Sequence, residues 1–280
     1  MISALNLDMG INHLFKGSND LYKYGNIEIQ PLAYQDDVGS ITKSLNETRS
    51  QTSKLVKLLK IKNLLAHPTK TGITILGKRK FITKTENEMV KNPIDFCKFK
   101  VNLKSNEKYL GQIFERNNKK SAFSTASMRA KKLKGAIFEL KSIVEDYTMQ
   151  NLAGLSSAWT LWESIMVPSL LSGAGTWIGN IENTIEVCNS VQNLFWRSIL
   201  NVPKSCPKIA LICETKMLDM KHRIWKEKIS LFMRIKNLPN ESLAKMIHEE
   251  SMKNNWPGLG RDISQICNIL KINNINYNHF

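Results

Sequence analysis

Two adjacent carboxylates, Asp36 and Asp37, are the residues of this chain best suited to chemistry. Side by side they offer oxygen ligands to a hard divalent cation such as Mg²⁺. Taken alone, the pair equally describes a solvated turn, where Asp is common. Lys70 stands downstream in His67-Pro68-Thr69-Lys70-Thr71-Gly72. An ammonium beside a developing phosphate charge acts as a general acid or as an electrostatic clamp; otherwise it is a solvated loop lysine. Tyr109 and Gly111, in Lys108-Tyr109-Leu110-Gly111-Gln112-Ile113-Phe114, place a ring beside a residue over which another backbone can pass closely. Lys119, Lys120, Arg129, Lys131, Lys132 and Lys134 form a basic cluster. It fits either phosphate contact without base reading or a solvated helix face.

These groups need elements to hold them. The runs Ile27-Glu28-Ile29-Gln30-Pro31-Leu32-Ala33 and Val38-Gly39-Ser40-Ile41 flank Tyr34-Gln35-Asp36-Asp37, a polar tip between two β-prone segments, and so predict a hairpin. Strands are expected over 26–34, 38–42, 72–76, 99–103 and 108–114, several ending at Gly or Asn. A helix is expected over 47–65, with Leu55, Leu58, Leu59 and Ile61 on a helical period and Lys54, Lys57, Lys60 and Lys62 interleaved. Beyond Ser124 the strand signal fades. Helices are expected over 130–147 (capped by Ser124 or Ser127), 159–171 (kinked or ended by Pro168), 181–199, 208–219, 221–236 and 241–253, then a frayed Asn-rich tail. The fold class is therefore α+β: a mixed region over 1–115, a helical region over 116–200 and a helical extension over 201–280.

Three of these segments together resemble one family. Tyr34-Gln35-Asp36-Asp37 resembles the Tyr-x-Asp-Asp palm signature of reverse transcriptases. The Lys70-Thr71 loop leading into a strand that ends at Gly77 resembles the next palm motif, and Tyr109-Leu110-Gly111 resembles the strand of the primer-grip region. Gly173-Ala174-Gly175-Thr176-Trp177 and the helical stretch to about Leu238 resemble the region after the palm in enzymes of the non-LTR (LINE-like) retrotransposon type. Gln35 departs from the Ala common there. The resemblance implies a partial palm, an antiparallel sheet backed by helices, followed by a thumb. It implies RNA-directed DNA synthesis with Mg²⁺, dNTPs and an RNA or DNA template–primer. Asp36 and Asp37 would be the metal ligands and Lys70 the residue at the leaving group. Tyr34, Tyr109 and Gly111 would lie at the primer, and the six basic residues at 119–134 on the duplex.

In that family a further clamp carboxylate comes from a strand well upstream, because a two-metal clamp must hold both the attacking and the leaving oxygen. Thirty-three residues precede Tyr34 here, and Asp8 and Asp20 among them lie in no apolar strand. The chain thus reads as a C-terminal portion carrying part of the metal site and inactive alone. The alternatives are a non-catalytic nucleic-acid-binding protein or a helical interaction protein.

Composition fits these readings. The formal net charge is +16, which favours a polyanion, nucleic acid before an anionic membrane surface. Five cysteines with no Cys-x-x-Cys spacing suit a reducing, intracellular compartment, nucleus or cytoplasm. Cys206, Cys213 and His222 are too loosely spaced for a recognisable zinc site, and the cysteines read as core residues. The N-terminus lacks a secretory pattern, and no run of ~18 apolar residues predicts a membrane span. The six tryptophans are base-stacking platforms or core residues, and their helical apolar surroundings favour core. Oligomeric state has no sequence signal.

Overall fold

The computed structural model describes residues 11, 14–15, 18, 21–34, 37–77, 79–146, 152–179 and 181–271. The chain is a mixture of helix and short, mostly antiparallel strand pairs, in two compact units, Met1–Asn118 and Lys119–Phe280.

The first unit carries the strands. Strand β1 (Tyr22–Tyr24) pairs with β2 (Ile27–Ile29), and β3 (Leu32–Tyr34) with β4 (Asp37–Gly39), both antiparallel. The single strand expected over 26–34 is therefore two. The break falls at Gln30-Pro31, where proline has no N–H to give a ladder. Helix α1 (Leu45–Ile61) follows. It starts two residues before the expected position because Ser44 caps it: Glu47 N–H donates to Ser44 Oγ (3.2 Å), and the Glu47 carboxylate accepts from Lys43 N–H (2.8 Å). The Ser44 hydroxyl thereby satisfies a donor that helix geometry leaves open, and Glu47 holds the backbone just before the cap. Strand β5 (Gly72–Thr74) pairs in parallel with β8 (Asn102–Lys104). Between them come helix α2 (Arg79–Lys91), which the sequence reading missed, and the small ladder of β6 (Asp95–Phe96) with β7 (Phe99–Lys100). Two apolar clusters hold this unit. Ala33 and Val38 of the β3–β4 pair pack toward Leu55 and Leu58 of α1; Ile73, Leu103 and Val101 pack with Met89 and Ile94.

The segment expected as one strand over 108–114 is a hairpin. Strand β9 (Asn106–Tyr109) pairs antiparallel with β10 (Gln112–Glu115), with Tyr109 opposite Gln112. Leu110 (φ 48°) and Gly111 (φ 76°) between them both sit in the left-handed region, as a tight two-residue hairpin turn requires. Gly111 is thus a turn residue.

The second unit is helical. Helix α3 (Ser121–Asp146) begins before either expected cap, so that Ser124 and Ser127 lie inside it, and packs along α6 (Glu182–Ile199). Between them lie α4 (Leu152–Leu161), a π-helical turn (Trp162–Met166) and α5 (Val167–Leu171). The expected disturbance at Pro168 takes this form: proline offers no N–H, and just before it Val167 N–H reaches Trp162 C=O, five residues back. Helices α7 (Lys208–Thr215), α8 (Met220–Lys236), α9 (Leu243–Lys253) and α10 (Leu259–Leu270) complete the unit; the last was not expected. Phe195 and Leu211, on either side of position 200, share one buried cluster. Its centre is aromatic: Trp162 and Trp196 are fully buried, with the Trp162 and Phe195 rings 5.0 Å apart and the Trp159 and Trp196 rings 5.3 Å apart. Contacts of this kind add to the large area such rings remove from water. Trp177 is also buried, so these three tryptophans are core residues.

Candidate nucleic-acid interface

The Asp-Asp segment is a hairpin, as its pattern predicts. Tyr34 pairs with Asp37 across β3–β4, which leaves two residues for the tip. Those residues, Gln35 and Asp36, lie outside the described residues, as do Asp8 and Asp20. Tyr34 and Asp37 are exposed. Alternation explains this: Ala33 and Val38 point to α1, so their neighbours point away.

Tyr109 comes to this hairpin from β9. Its ring lies over Gly39, where an added Cβ would meet it at 3.3 Å, and its hydroxyl donates to Leu32 C=O at 3.4 Å. The phenol pKa is raised, first by burial and second by the charge of Asp37. The hydrogen bond between Tyr109 and Leu32, 77 residues apart in sequence, therefore brings two motifs to one small surface, with the Asp37 carboxylate acting on the Tyr109 ring.

This closeness can be measured. Tyr109 is expected to ionise above its ordinary 10.0 in a titration followed by phenolate absorbance. Asp37→Asn should bring its titration part of the way back, because burial persists. The raised folded value means that Tyr109 contributes stability below the unfolded pKa and loses it as pH rises through the folded value, so the window is the alkaline limb. An unchanged titration in Asp37→Asn would contradict the placement.

Lys70 is exposed in a turn closed on His67, whose carbonyl accepts from Lys70 N–H (3.2 Å) and Thr71 N–H (3.0 Å). The His67 ring contacts Thr69 Oγ1 at 3.1 Å, which makes it a local turn residue. Lys104 Nζ donates to Lys70 C=O (3.1 Å) and pairs with Glu107 (2.7 Å), so β8 and β9 anchor the loop. The Lys104 side chain passes closely over Gly72, where an added Cβ would stand 2.5 Å from it and would make it shift. Among the described residues no hydrogen bond or ion pair joins Lys70 to Asp37. Nor do three His, Cys, Asp or Glu side chains gather as a metal cage; Cys206, Cys213 and His222 form none. Burial pushes the Cys188 thiol up to about 12, which makes it an inert core group.

The basic cluster divides by role. Arg129 is not on the solvent face. Its guanidinium donates to Leu170 C=O (3.3 Å) and to Ser172 C=O, closing the end of α5, and burial lowers its pKa. These are carbonyls that a helix end leaves without partners. Lys119 and Lys120 are exposed in the 3₁₀ turn Asn118–Lys120, just before α3, whose first turn has no acidic residue. That end of a helix carries partial positive charge, so an anion there is stabilised. Lys131 and Lys132 are exposed and Lys134 half-buried. Phe123, Ser127, Lys131, Lys134 and Phe138 recur at three- and four-residue spacing and share one face of α3. Phe138 is 62% exposed, and Gly135 beside it has open space where a Cβ would stand. Sequence reasoning missed the two phenylalanines; their period relative to the lysines was the available signal.

Among the described residues no helix is long and apolar enough to cross a membrane. No protein-family model, no curated protein and no solved structure matches this chain.

Proposed function

We propose that this chain is a palm-and-thumb portion of a reverse transcriptase of the non-LTR retrotransposon type, and that its own activity is binding of an RNA or DNA template–primer. The observation that carries the reading is the seating of Tyr109 on the Tyr34–Asp37 hairpin. A polymerase needs its metal-binding carboxylates next to the residues that hold the primer end. Here the two motifs that resemble those parts are adjacent although far apart in sequence. The stripe of α3 that carries exposed Lys131, half-buried Lys134 and two exposed rings supports phosphate contact along a duplex. The formal charge of +16 supplies the long-range attraction.

Asp36 and Asp37 would give carboxylate oxygens to Mg²⁺, which in such sites polarises the transferring phosphoryl group. This is part of a two-metal clamp, and Asp37 is the only member among the described residues, so no step of nucleotide addition is assigned to this chain alone. Lys70 would meet an incoming triphosphate from its anchored loop.

The test is one preparation assayed in two ways. Fluorescence anisotropy with a primed RNA–DNA duplex should show binding that weakens steeply with salt and changes less than about twofold in Asp37→Asn. Primer extension with Mg²⁺ and dNTPs should show no incorporation. Incorporation abolished by Asp37→Asn would make the chain a polymerase in its own right. Absence of binding at low salt would overturn the reading and leave a helical interaction protein.

A further inference from the structure

A recess lies wholly within the helical unit, between the segment from Ile178 to Ile185, α8 and α10. Its volume is about 400 Å³. That is the scale of pockets that enclose one small ligand or one unit of a polymer. Ile178, Ile185, Trp225 and Ile266 give it apolar walls, and Lys221 and Arg261 add two cations. The inner wall is fixed by a buried ion pair. Lys228, 2% exposed, donates to the Asp262 carboxylate and to Trp177 C=O, and Gly179 N–H donates to the same carboxylate at 3.4 Å. With Lys228 and Asp262 cancelling, Lys221 and Arg261 outweigh Glu182, the other acid on the lining.

Trp225 is the tryptophan that distinguishes this recess from the aromatic core. It is half-buried and lines the recess, while its ring and the His222 ring stand at 83° with centroids 5.5 Å apart, and Lys221 Nζ stands 4.9 Å from its centroid. The ring face that holds this ammonium is also a surface on which a base can stack, the base then taking the place of the cation. Lys221 displaced from the ring remains within reach of a phosphate attached to that base. An aromatic platform, flanking cations and a volume for one nucleoside are the parts with which proteins hold single strands without reading sequence.

We infer that the recess between α8 and α10 binds one nucleotide of single-stranded nucleic acid, with the base on Trp225 and the phosphates on Lys221 and Arg261. In a primed template this site takes the unpaired strand. The inference rests on the nucleic-acid reading given above, but it concerns a different surface and a different form of the ligand. An acidic peptide, the other occupant that charge would allow, is a separate outcome of the test.

The experiment uses the full chain and two fluorescein-labelled probes, a short oligothymidylate and a blunt duplex. Arg261→Ala with Lys221→Ala, and separately Trp225→Leu, should weaken oligothymidylate binding about tenfold or more, the effect expected when a stacking ring is removed. Duplex binding should change less than about twofold. Glu182→Gln should tighten the single strand, because it removes the opposing charge. Lys131→Gln and Lys132→Gln should do the reverse, weakening the duplex and sparing the single strand. If Trp225→Leu and the double alanine variant bind oligothymidylate like the parent, the site is overturned. Loss of binding to both probes in folded parent protein would overturn the nucleic-acid reading itself. A melting curve for each variant shows that it is folded, and Trp225→Phe, which keeps a ring, should retain most of the affinity. Competition for the recess by an acidic peptide, with no effect of oligothymidylate, would assign it to protein.

Discussion

Asp262→Ala is expected to destabilise the helical unit by roughly 3–5 kcal/mol, because it leaves an ammonium buried without its partner. Lys228 has nowhere to put that charge. Its side chain is 2% exposed, and its remaining contact is the Trp177 carbonyl. The same carboxylate accepts Gly179 N–H, so the substitution also releases the turn that joins the Trp177 segment to α10. Replacing both partners by apolar residues, Lys228→Met with Asp262→Leu, should restore most of the loss, since desolvation of two ions offsets much of a buried pair's attraction. Urea unfolding of the single variants and the double variant measures this directly. A single variant within about 1 kcal/mol of the parent would mean that water reaches the pair.

The pair could not be read from the sequence. Lys228 and Asp262 are 34 residues apart, and Lys228 sits in a helix whose lysines and arginines look like a solvated face. Helix α10 itself was hidden. Gly258 and Gly260 at its start suggest a loop, while its buried Ile263 and Ile266 supply too short a period to outweigh them. The carbonyl partners of Arg129 were hidden for a related reason. A basic residue among lysines looks like part of one surface, but position 129 turns toward the carbonyls at the end of α5 and the lysines do not. Long-range partners of charged residues are decided by packing, which local spacing does not record.

The hairpin bearing the candidate carboxylates was legible because two β-prone runs flanking a short polar tip are local signals. Its neighbour was not. Leu110-Gly111 makes a turn that Asn-Gly normally makes, and leucine at positive φ carries no sequence warning. Tyr109 was assigned to the primer end on resemblance; its seat on Gly39 and Leu32 is tertiary. Glycine at 39 has a reason that appears only there, since a side chain would press on the Tyr109 ring. The candidate site is thus built from a local hairpin that sequence reveals and a distant ring that sequence only names.

The largest effect on binding is expected from Lys131→Gln, Lys132→Gln and Lys134→Gln together. If each lysine neutralises one duplex phosphate, the slope of log affinity against log salt falls by about 0.9 per lysine, or about 2.7 for three. From that slope the loss is on the order of a thousandfold at ~0.05 M salt and less than about tenfold near ~0.5 M. Lys131 and Lys132 are exposed, so the folded state should tolerate the change, and a melting curve checks the half-buried Lys134. Arg129→Ala is the contrast that gives the measurement its meaning. It removes the same formal charge from the same helix, but its guanidinium serves the carbonyls of Leu170 and Ser172. It should therefore lower stability and leave the salt slope nearly unchanged. A cluster acting only through net charge would respond alike to all four substitutions. A duplex gripped by the outer face of α3 would respond to the three lysines and not to the arginine, and a salt slope that moved with Arg129 would show that the face is not the contact.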